Sequence, residues 1–244
     1  MKNILIVGAS HGIGKALAFE YHQLGHFVNL FARDFEALKS IKLELKTNIE
    51  IFEFDVVDEK KSQEILNSFS QIDLFIYCAG AYKPMPVTDI DLKEAKKINE
   101  VNFVGALNCL DVIIKKMLLQ KFGHIALVAS VAGYVGLPKS FAYGASKAAL
   151  INLAETLYAE LSAFNIKVSL INPGFVKTRL TDKNDFKMPA IISAQEAAQY
   201  IINGLNKEKF EIHFPKKFTI WLKLLKILPY KILFFFTKKI ARKN

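Results

Sequence analysis

The sequence predicts an α/β fold in which helices cover both faces of a parallel sheet. Short apolar runs alternate along the chain with longer segments of helical periodicity, which is typical of βαβ units. Most of the predicted strands are apolar throughout, as expected where both faces of a sheet are covered. A length of 244 residues with 52% hydrophobic content is sufficient for one large domain with a full core.

Seven strands and six helical segments are predicted in alternation. The strands are Asn3–Val7, Phe27–Phe31, Ile49–Phe54, Leu74–Cys78, His124–Val128, Lys167–Ile171 and Phe210–His213. The helical segments are Gly14–Leu24, Phe35–Leu45, Glu59–Phe69, a long one around Leu92–Lys121, Tyr143–Phe164 and Ala194–Asn206. No repeat or low-complexity linker interrupts residues 1–214, so we expect one domain there and an appended tail over residues 215–244.

The net charge of +10 is concentrated in that tail. Residues 215–244 contain nine lysines or arginines and no acidic residue, whereas the rest of the chain is nearly neutral. The basic character therefore does not predict a nucleic-acid-binding domain.

The cysteines and the N-terminus indicate a cytoplasmic protein. Cys78 and Cys109 lie in apolar runs, which predicts buried thiols in a reducing compartment and no disulfide framework. The first apolar run, Ile4–Val7, is too short for a signal peptide. The five histidines lack metal-ligand spacing, so no metal site is predicted.

A glycine-rich turn follows the first predicted strand. Gly8, Gly12 and Gly14 stand in Gly-Ala-Ser-His-Gly-Ile-Gly, between an apolar strand and a helix. Phosphates need close backbone amides and the positive end of a helix, and a Cβ in the turn would hold the backbone away. The turn therefore predicts a dinucleotide site, with an ordinary β-to-α turn as the alternative. His11 is expected to face the phosphates.

The residues that end the second and third strands bear on which dinucleotide is bound. An acidic residue after the second strand favours NAD, whereas an arginine there favours NADP. Ala32 occupies the expected acidic position and Arg33 follows it, which favours NADP, although Asp34 leaves NAD open. Asp55 and Val56 are candidates to hold the adenine edge. The alternative for Asp55 is that it caps the helix that begins near Glu59.

A second group of residues predicts acid–base chemistry. Tyr143 and Lys147 are four residues apart, so they share one face of a helix, and Ser130 precedes the tyrosine by thirteen residues. A phenol has a pKa of about 10, and acid–base work near neutrality requires that value to fall. A neighbouring ammonium provides the charge that lowers it. A surface Tyr–Lys pair and a loop serine are the alternative.

In combination, these motifs resemble the short-chain dehydrogenase/reductase family over residues 1 to 214. The resemblance rests on residues 8–14, Asp55-Val56, Cys78-Ala79-Gly80, Asn102, Ser130, Tyr143, Lys147 and the segment Asn172–Thr178. It implies a doubly wound, Rossmann-like sheet of seven parallel strands, with NAD(P) across the carboxyl ends of the strands. It also implies an oligomer formed through the long helices.

The resemblance implies a role for each matching residue. Tyr143 would be the acid–base, Lys147 its modulator and a ribose ligand, Ser130 the group that polarises the substrate carbonyl, and Asn102 the residue that kinks its helix to hold a relay water. The implied cofactor-binding set is Gly8, Ser10, His11, Gly12, Ile13, Gly14, Arg33, Asp55, Val56, Cys78, Ala79, Gly80, Tyr143, Lys147, Pro173, Gly174, Phe175, Val176 and Thr178. Cys78 stands where the family usually has asparagine, which predicts lower local rigidity and intact chemistry.

The substrate region is predicted to be apolar. By the resemblance, residues 179–192 cover the substrate and offer Leu180, Phe186, Met188, Ile191 and Ile192, with Tyr134, Val135 and Leu137 nearby. The same side chains are also suited to packing within loops. The leading hypothesis is an NADP-dependent oxidoreductase that acts on a lipophilic carbonyl or secondary alcohol. The alternative is a non-catalytic NADP(H)-binding redox sensor or a membrane-surface adaptor.

The tail predicts an amphipathic helix. Thr219, Lys223, Lys226 and Tyr230 form a narrow polar stripe, and apolar residues fill the remaining surface. Three lysines and Pro229 disfavour a spanning helix. We expect an interfacial helix on an anionic membrane, peripheral on its inner surface. A partner subunit or a lid over the site is the alternative.

Overall fold

The computed structural model describes residues 1–186 and 188–241. Its centre is a parallel sheet in the order β3-β2-β1-β4-β5-β6-β7. The strands are β1 (Asn3–Val7), β2 (Phe27–Ala32), β3 (Ile49–Glu53), β4 (Leu74–Tyr77), β5 (Gly123–Val128), β6 (Ile166–Pro173) and β7 (Glu211–Phe214). The predicted fold class is confirmed, because each predicted strand has its counterpart in the sheet.

Nine α-helices are present in the part of the chain that the structure describes. They are α1 (Gly12–Gln23), α2 (Phe35–Leu45), α3 (Glu59–Asn67), α4 (Leu92–Asn99), α5 (Gly105–Gln120), α6 (Tyr143–Leu161), α7 (Ala194–Asn206), α8 (Lys216–Lys226) and α9 (Tyr230–Ala241).

The long helix predicted around Leu92–Lys121 is interrupted. A π-helical turn over Glu100–Val104 separates α4 from α5. The Tyr77 hydroxyl donates to the Val101 carbonyl at 2.5 Å, and the Asn102 side chain bonds to the main chain of Ala81. These contacts draw the helix toward the end of β4, which accounts for the wider turn.

The sheet separates two apolar layers, because successive side chains of a strand point to opposite faces. Ile4 and Ile6 of β1 pack with residues of α1, α2 and α7. Leu5 and Val7 of the same strand pack with residues of α3, α5 and α6. Helices on both faces explain the continuously apolar strands.

Strand order determines where a ligand can bind. The chain runs outward from β1 through β2 to β3, and then returns to the other side of β1 with β4. The loops that follow β1 and β4 therefore diverge and leave a crevice at the carboxyl ends of these strands. The glycine turn leaves β1 at this crevice, and Ser130 follows β5 at the same edge.

The tail begins with a helix that packs on the sheet. In α8, Thr219 and Leu222 are buried, and Leu222 contacts the layer formed by α3, α5 and α6. Over residues 1–186 and 188–241, the structure contains no helix that is both long and apolar enough to cross a bilayer.

Candidate active site

A cleft of about 420 Å³ lies at the carboxyl ends of the strands. It brings together most of the residues predicted from the sequence. The predicted residues that line it are Gly8, Ser10, His11, Gly12, Ile13, Arg33, Asp55, Val56, Cys78, Ala79, Gly80, Ser130, Tyr143, Lys147, Pro173, Gly174, Val176 and Thr178. Gly14, Asn102 and Phe175 do not line it.

The glycine turn forms a shallow floor for the cleft. Gly8 and Gly12 have φ angles of +86° and +56°, which side chains rarely allow. A Cβ on Gly8 would lie 2.6 Å from the Ala79 nitrogen, and one on Gly14 would lie 2.2 Å from the Gly8 carbonyl oxygen. Helix α1 begins here without a side-chain cap from His11. The positive end of the helix thus faces the cleft, as phosphate binding requires.

Several charged side chains gather at the end of β2. His11 Nε2 lies 2.8 Å from Asp34 Oδ2 and 2.5 Å from Arg179 Nη1. Arg179 is also 3.9 Å from the Asp34 carboxylate. The hydrogen bond from the Ala37 amide, followed by that from His11, lowers the pKa of Asp34. The carboxylate of Asp34 is therefore engaged by its neighbours, while Arg33 lies beside it.

Asp55 faces the cleft and does not cap a helix. Its Oδ1 accepts from the Val57 amide at 3.2 Å, and its Oδ2 lies 3.9 Å from Arg33 Nη1. The cap of α3 is Asp58, whose side chain accepts from the Lys61 amide. The interpretation of Asp55 as a helix cap is therefore wrong, because three further residues separate it from the start of that helix.

Tyr143 and Lys147 lie on one face of the first turns of α6. Lys147 Nζ is 5.7 Å from the centre of the Tyr143 ring and donates to the Val128 carbonyl at 2.9 Å. Ser130 lies two residues beyond Val128 and lines the same cleft. The phenol, the ammonium and the serine hydroxyl are thus brought together, as predicted.

Burial is the largest influence on the pKa values of Tyr143 and Lys147. It raises the pKa of Tyr143 to about 12, and a hydrogen bond with Ser130 opposes the rise. Burial also lowers the pKa of Lys147 to about 8. The Tyr143 phenol is consequently protonated near neutrality, and of these two residues Lys147 has the pKa nearer to physiological pH. The expected lowering of the tyrosine pKa by the lysine is not seen.

Asn102 connects two elements of the site without lining the cleft. It is fully buried in the π-helical turn. Its Oδ1 accepts from the Ala81 amide at 2.6 Å, and its Nδ2 donates to the Ala81 carbonyl at 3.1 Å and to Ser146 Oγ at 2.9 Å. Asn102 therefore ties the loop after β4 to the helix that carries Tyr143.

Arg179, Leu180 and Thr181 line the cleft, and the residues that follow them contact the loop after β4. Asn184 accepts from the Tyr82 hydroxyl at 2.6 Å, and Lys183 Nζ donates to the Tyr82 carbonyl at 2.8 Å. The Tyr82 ring meets the Tyr143 ring edge-on, with centroids 4.8 Å apart. Tyr82 thus packs against the ring of Tyr143 and connects it to the segment that follows Thr181.

The predicted apolar substrate residues do not form one pocket. Leu180 lines the cleft, whereas Tyr134, Val135 and Leu137 line a separate cavity of about 820 Å³. Ile192 packs against the core, and Ile191 is exposed.

Sequence reasoning missed three residues of the site. The sequence presents Asp34 only as a residue that favours NAD and Arg179 only as the start of a loop, and it indicates no role for Tyr82. Arg179 directly follows Thr178, and Tyr82 follows Gly80 by two residues. Their proximity to those motifs was the available signal, although contacts across 168 positions were not predictable.

Comparisons with known proteins show the family to which the chain belongs. A family model described as short chain dehydrogenase matches residues 2–188. The 3-oxoacyl-(acyl-carrier-protein) reductase FabG of Rickettsia prowazekii is 31% identical over 192 residues, which cover 78% of this chain and 80% of that protein.

Solved structures share the fold. A short chain dehydrogenase from Burkholderia cenocepacia in complex with NADP has a TM-score of 0.86 and 22% identity, covering 98% of this chain and 97% of that one. A short chain dehydrogenase/reductase from Burkholderia phymatum in complex with NAD has a TM-score of 0.84 and 24% identity, covering 91% and 92%. The chain belongs to the short-chain dehydrogenase/reductase family and is an NAD(P)-dependent oxidoreductase.

Proposed function

We propose that this protein is an NADP-dependent oxidoreductase that interconverts a ketone and a secondary alcohol, with Tyr143 as the acid–base. The observation that carries the proposal is the convergence of Tyr143, Lys147 and Ser130 in the same cleft as the glycine turn. A phenol at this edge can donate a proton to, or accept one from, the substrate oxygen while the carbon bonded to that oxygen gains or loses a hydride.

The residues present suit a dinucleotide. A Cβ on Gly8 would clash with the Ala79 backbone and one on Gly12 with the Thr178 side chain, so only glycine allows this tight turn, and the start of α1 supplies the positive charge that a pyrophosphate needs. Asp55 and Val56 would hold the adenine, and Lys147 the ribose beside the nicotinamide. When bound, the nicotinamide would supply or accept the hydride.

The protein contributes the proton and the side chains that stabilise the charges formed when the proton moves. In the reducing direction, Tyr143 gives its proton to the carbonyl oxygen, while the carbonyl carbon gains the hydride. Ser130 donates a hydrogen bond to the same oxygen and stabilises the charge that develops there. The Lys147 ammonium stabilises the phenolate that remains. In the oxidising direction, the same phenolate takes the hydroxyl proton of the alcohol.

The preference for NADP rests on the residues after β2. Arg33 is exposed at this point, and His11 and Arg179 gather at the next residue, Asp34; these three side chains suit the 2′-phosphate of NADP. Asp34 accepts hydrogen bonds from His11 and from the Ala37 amide, so its carboxylate is less available to ribose hydroxyls.

We also propose a lipophilic substrate. Leu180 lines the cleft, and the ring centroid of Phe186 lies 5.9 Å from that of Phe175, which follows β6. The Rickettsia relative is named for an acyl substrate, which is consistent with hydrocarbon near the reacting carbonyl.

The tail supports a peripheral position on an anionic membrane. In α8, the first half of the polar stripe faces the protein, because Thr219 is buried and Lys223 bonds to Glu211, whereas Lys226 and Tyr230 are exposed. Leu222 packs inward beside them, but other apolar side chains point outward, with Trp221 70% exposed and Ile227, just after the helix, 77% exposed. An outward apolar face among nine basic residues suits acyl chains and anionic headgroups. We propose the inner membrane surface as its location.

We further propose a homo-oligomer. Leu107 and Leu119 on α5, and Tyr158 on α6, are exposed apolar or aromatic side chains on the long helices. Light scattering on the purified protein checks this proposal.

The experiment that tests the proposed activity is a screen of ketones and alcohols with the purified full-length protein. We expect NADPH consumption with at least one lipophilic ketone, and slower turnover with NADH. Tight NADPH binding without turnover of any carbonyl or alcohol would instead identify a dinucleotide sensor.

A further inference from the structure

Glu211 links the tail to two segments of the cleft. It is the first residue of β7, and its side chain is largely buried. Its Oε1 accepts from the Tyr134 hydroxyl at 2.5 Å and from Asn172 Nδ2 at 3.0 Å, while its Oε2 accepts from Lys223 of α8. One carboxylate therefore joins three elements that are distant in sequence.

Two of these partners lead directly to the cleft. Tyr134 follows the short helical turn Val131–Gly133, for which Ser130 is the N-cap and accepts from the Ala132 amide. Asn172 is followed by Pro173 and Gly174, which line the cleft. A displacement of Glu211 would be transmitted to the serine on one side and to this strand end on the other.

The third partner belongs to a helix that rests against the same strand end. A Cβ on Gly174 would lie 2.9 Å from the Phe218 ring, and the Phe218 and Phe175 rings are 5.5 Å apart. Thr219 Oγ1 is 2.6 Å from His213 Nδ1. Helix α8 is thus seated on β7 and on the back of Gly174, and Lys223 forms the contact one turn further along.

The carboxylate is held in its charged form. Burial would raise the pKa of Glu211, but the hydrogen bonds from Lys223, Tyr134 and Asn172 outweigh burial and lower the pKa. Burial, together with Glu211 itself, raises the pKa of Tyr134, so its hydroxyl remains a donor. Charge-assisted bonds of this kind constrain geometry more strongly than neutral ones.

We infer that Glu211 is a positioning residue, through which the seating of α8 on β7 sets the placement of Ser130 and of Pro173–Gly174 in the cleft. The inference rests on the proposed role of Ser130 in the reaction. It makes α8 a part of the working enzyme as well as the start of a membrane-binding tail.

A double-mutant cycle on the full-length protein tests this role. Lys223→Met removes the tail contact, Tyr134→Phe removes the contact to the serine turn, and each leaves a side chain of similar volume. We expect each to lower kcat for ketone reduction about fivefold, with the Kd for NADPH changed less than about twofold. The double variant should be no slower than the slower single variant, because both changes interrupt one connection.

Two further variants separate positioning from simple stability. Lys167→Met breaks an ion pair with Glu208 between β6 and the residues before β7, on a path that does not lead to Ser130, and it should leave kcat unchanged. Glu211→Gln retains an acceptor for Tyr134 and Asn172 but loses the contact with Lys223, so its kcat should match that of Lys223→Met and exceed that of Glu211→Ala. Rates are taken per NADPH-binding site, so that unfolded protein does not contribute.

The inference is overturned if Lys223→Met leaves kcat unchanged, or if the losses of the two single variants multiply in the double variant. Either result can occur while wild-type reduction and its dependence on Tyr143 persist, so failure of this inference is distinguishable from failure of the proposed function.

Discussion

Lys147 Nζ donates to the main-chain carbonyl of Val128 at 2.9 Å. Val128 is the last residue of β5, and Ser130 follows it by two residues. The bond fixes a buried ammonium at the strand end that also presents the serine, beside the ring of Tyr143. The sheet thereby positions the two polar groups that flank the phenol.

The charge of Lys147 predicts a pH dependence. Its pKa is lowered by burial to about 8, so the ammonium is charged below that pH and neutral above it. If reduction needs the charge, kcat/KM should decline as pH rises through about 8, because this parameter reports the free enzyme. In Lys147→Arg, the decline should move to higher pH, since a guanidinium does not titrate there. An alkaline limb at the same pH in both proteins would exclude Lys147 as its origin.

Arg33 predicts dinucleotide selectivity. Arg33→Ala should weaken NADPH binding at least tenfold, because a charge-assisted contact to a phosphate contributes about 1.5–3 kcal/mol. NADH binding should change less than about twofold. Titration of protein fluorescence with each dinucleotide measures both. Equal weakening of NADPH and NADH would contradict a contact between Arg33 and the 2′-phosphate.

The outward face of the tail predicts membrane binding. Trp221→Gln and Phe235→Gln each place a polar group on an exposed apolar surface, at side chains that are 70% and 66% exposed. Each should weaken sedimentation with anionic vesicles about tenfold, because burying such a side chain contributes roughly 1.5–3 kcal/mol. Binding should also fall in high salt.

The control for the tail is Leu43→Gln, since Leu43 is 76% exposed on α2, away from the basic segment. It should bind vesicles as the wild type does. Sedimentation with anionic vesicles that is insensitive to both tail variants, or its absence in the wild type, would contradict the membrane proposal.

Much of the fold was predictable because its determinants are local. The strands are apolar runs between helical segments, and the glycine spacing after the first strand directly predicts a phosphate-binding turn. The interruption at Glu100–Val104 was not predictable, because it depends on bonds from Tyr77 and from Ala81, which lie on other elements.

Most residues of the site were predictable from the sequence, but the direction of the Tyr143 pKa shift was not. Spacing placed Tyr143 and Lys147 on one face of a helix, as the structure has them. It did not reveal that burial would raise the tyrosine pKa, because burial depends on packing between distant elements, such as that of the Tyr82 ring on Tyr143. Similarly, the tail sequence defined a polar stripe, but only the contacts with Glu211 and His213 of β7 show that Thr219 and Lys223 of this stripe face inward.

The most direct test of the account is the rate of ketone reduction by Tyr143→Phe, measured with NADPH alongside NADPH affinity. Phenylalanine retains the ring but has no proton to donate, so we expect kcat to fall about 10²- to 10⁴-fold while the Kd for NADPH changes less than about threefold. Tyr158→Phe makes the same change further along α6 and should keep wild-type turnover. Undiminished turnover by Tyr143→Phe would contradict the assignment of the acid–base.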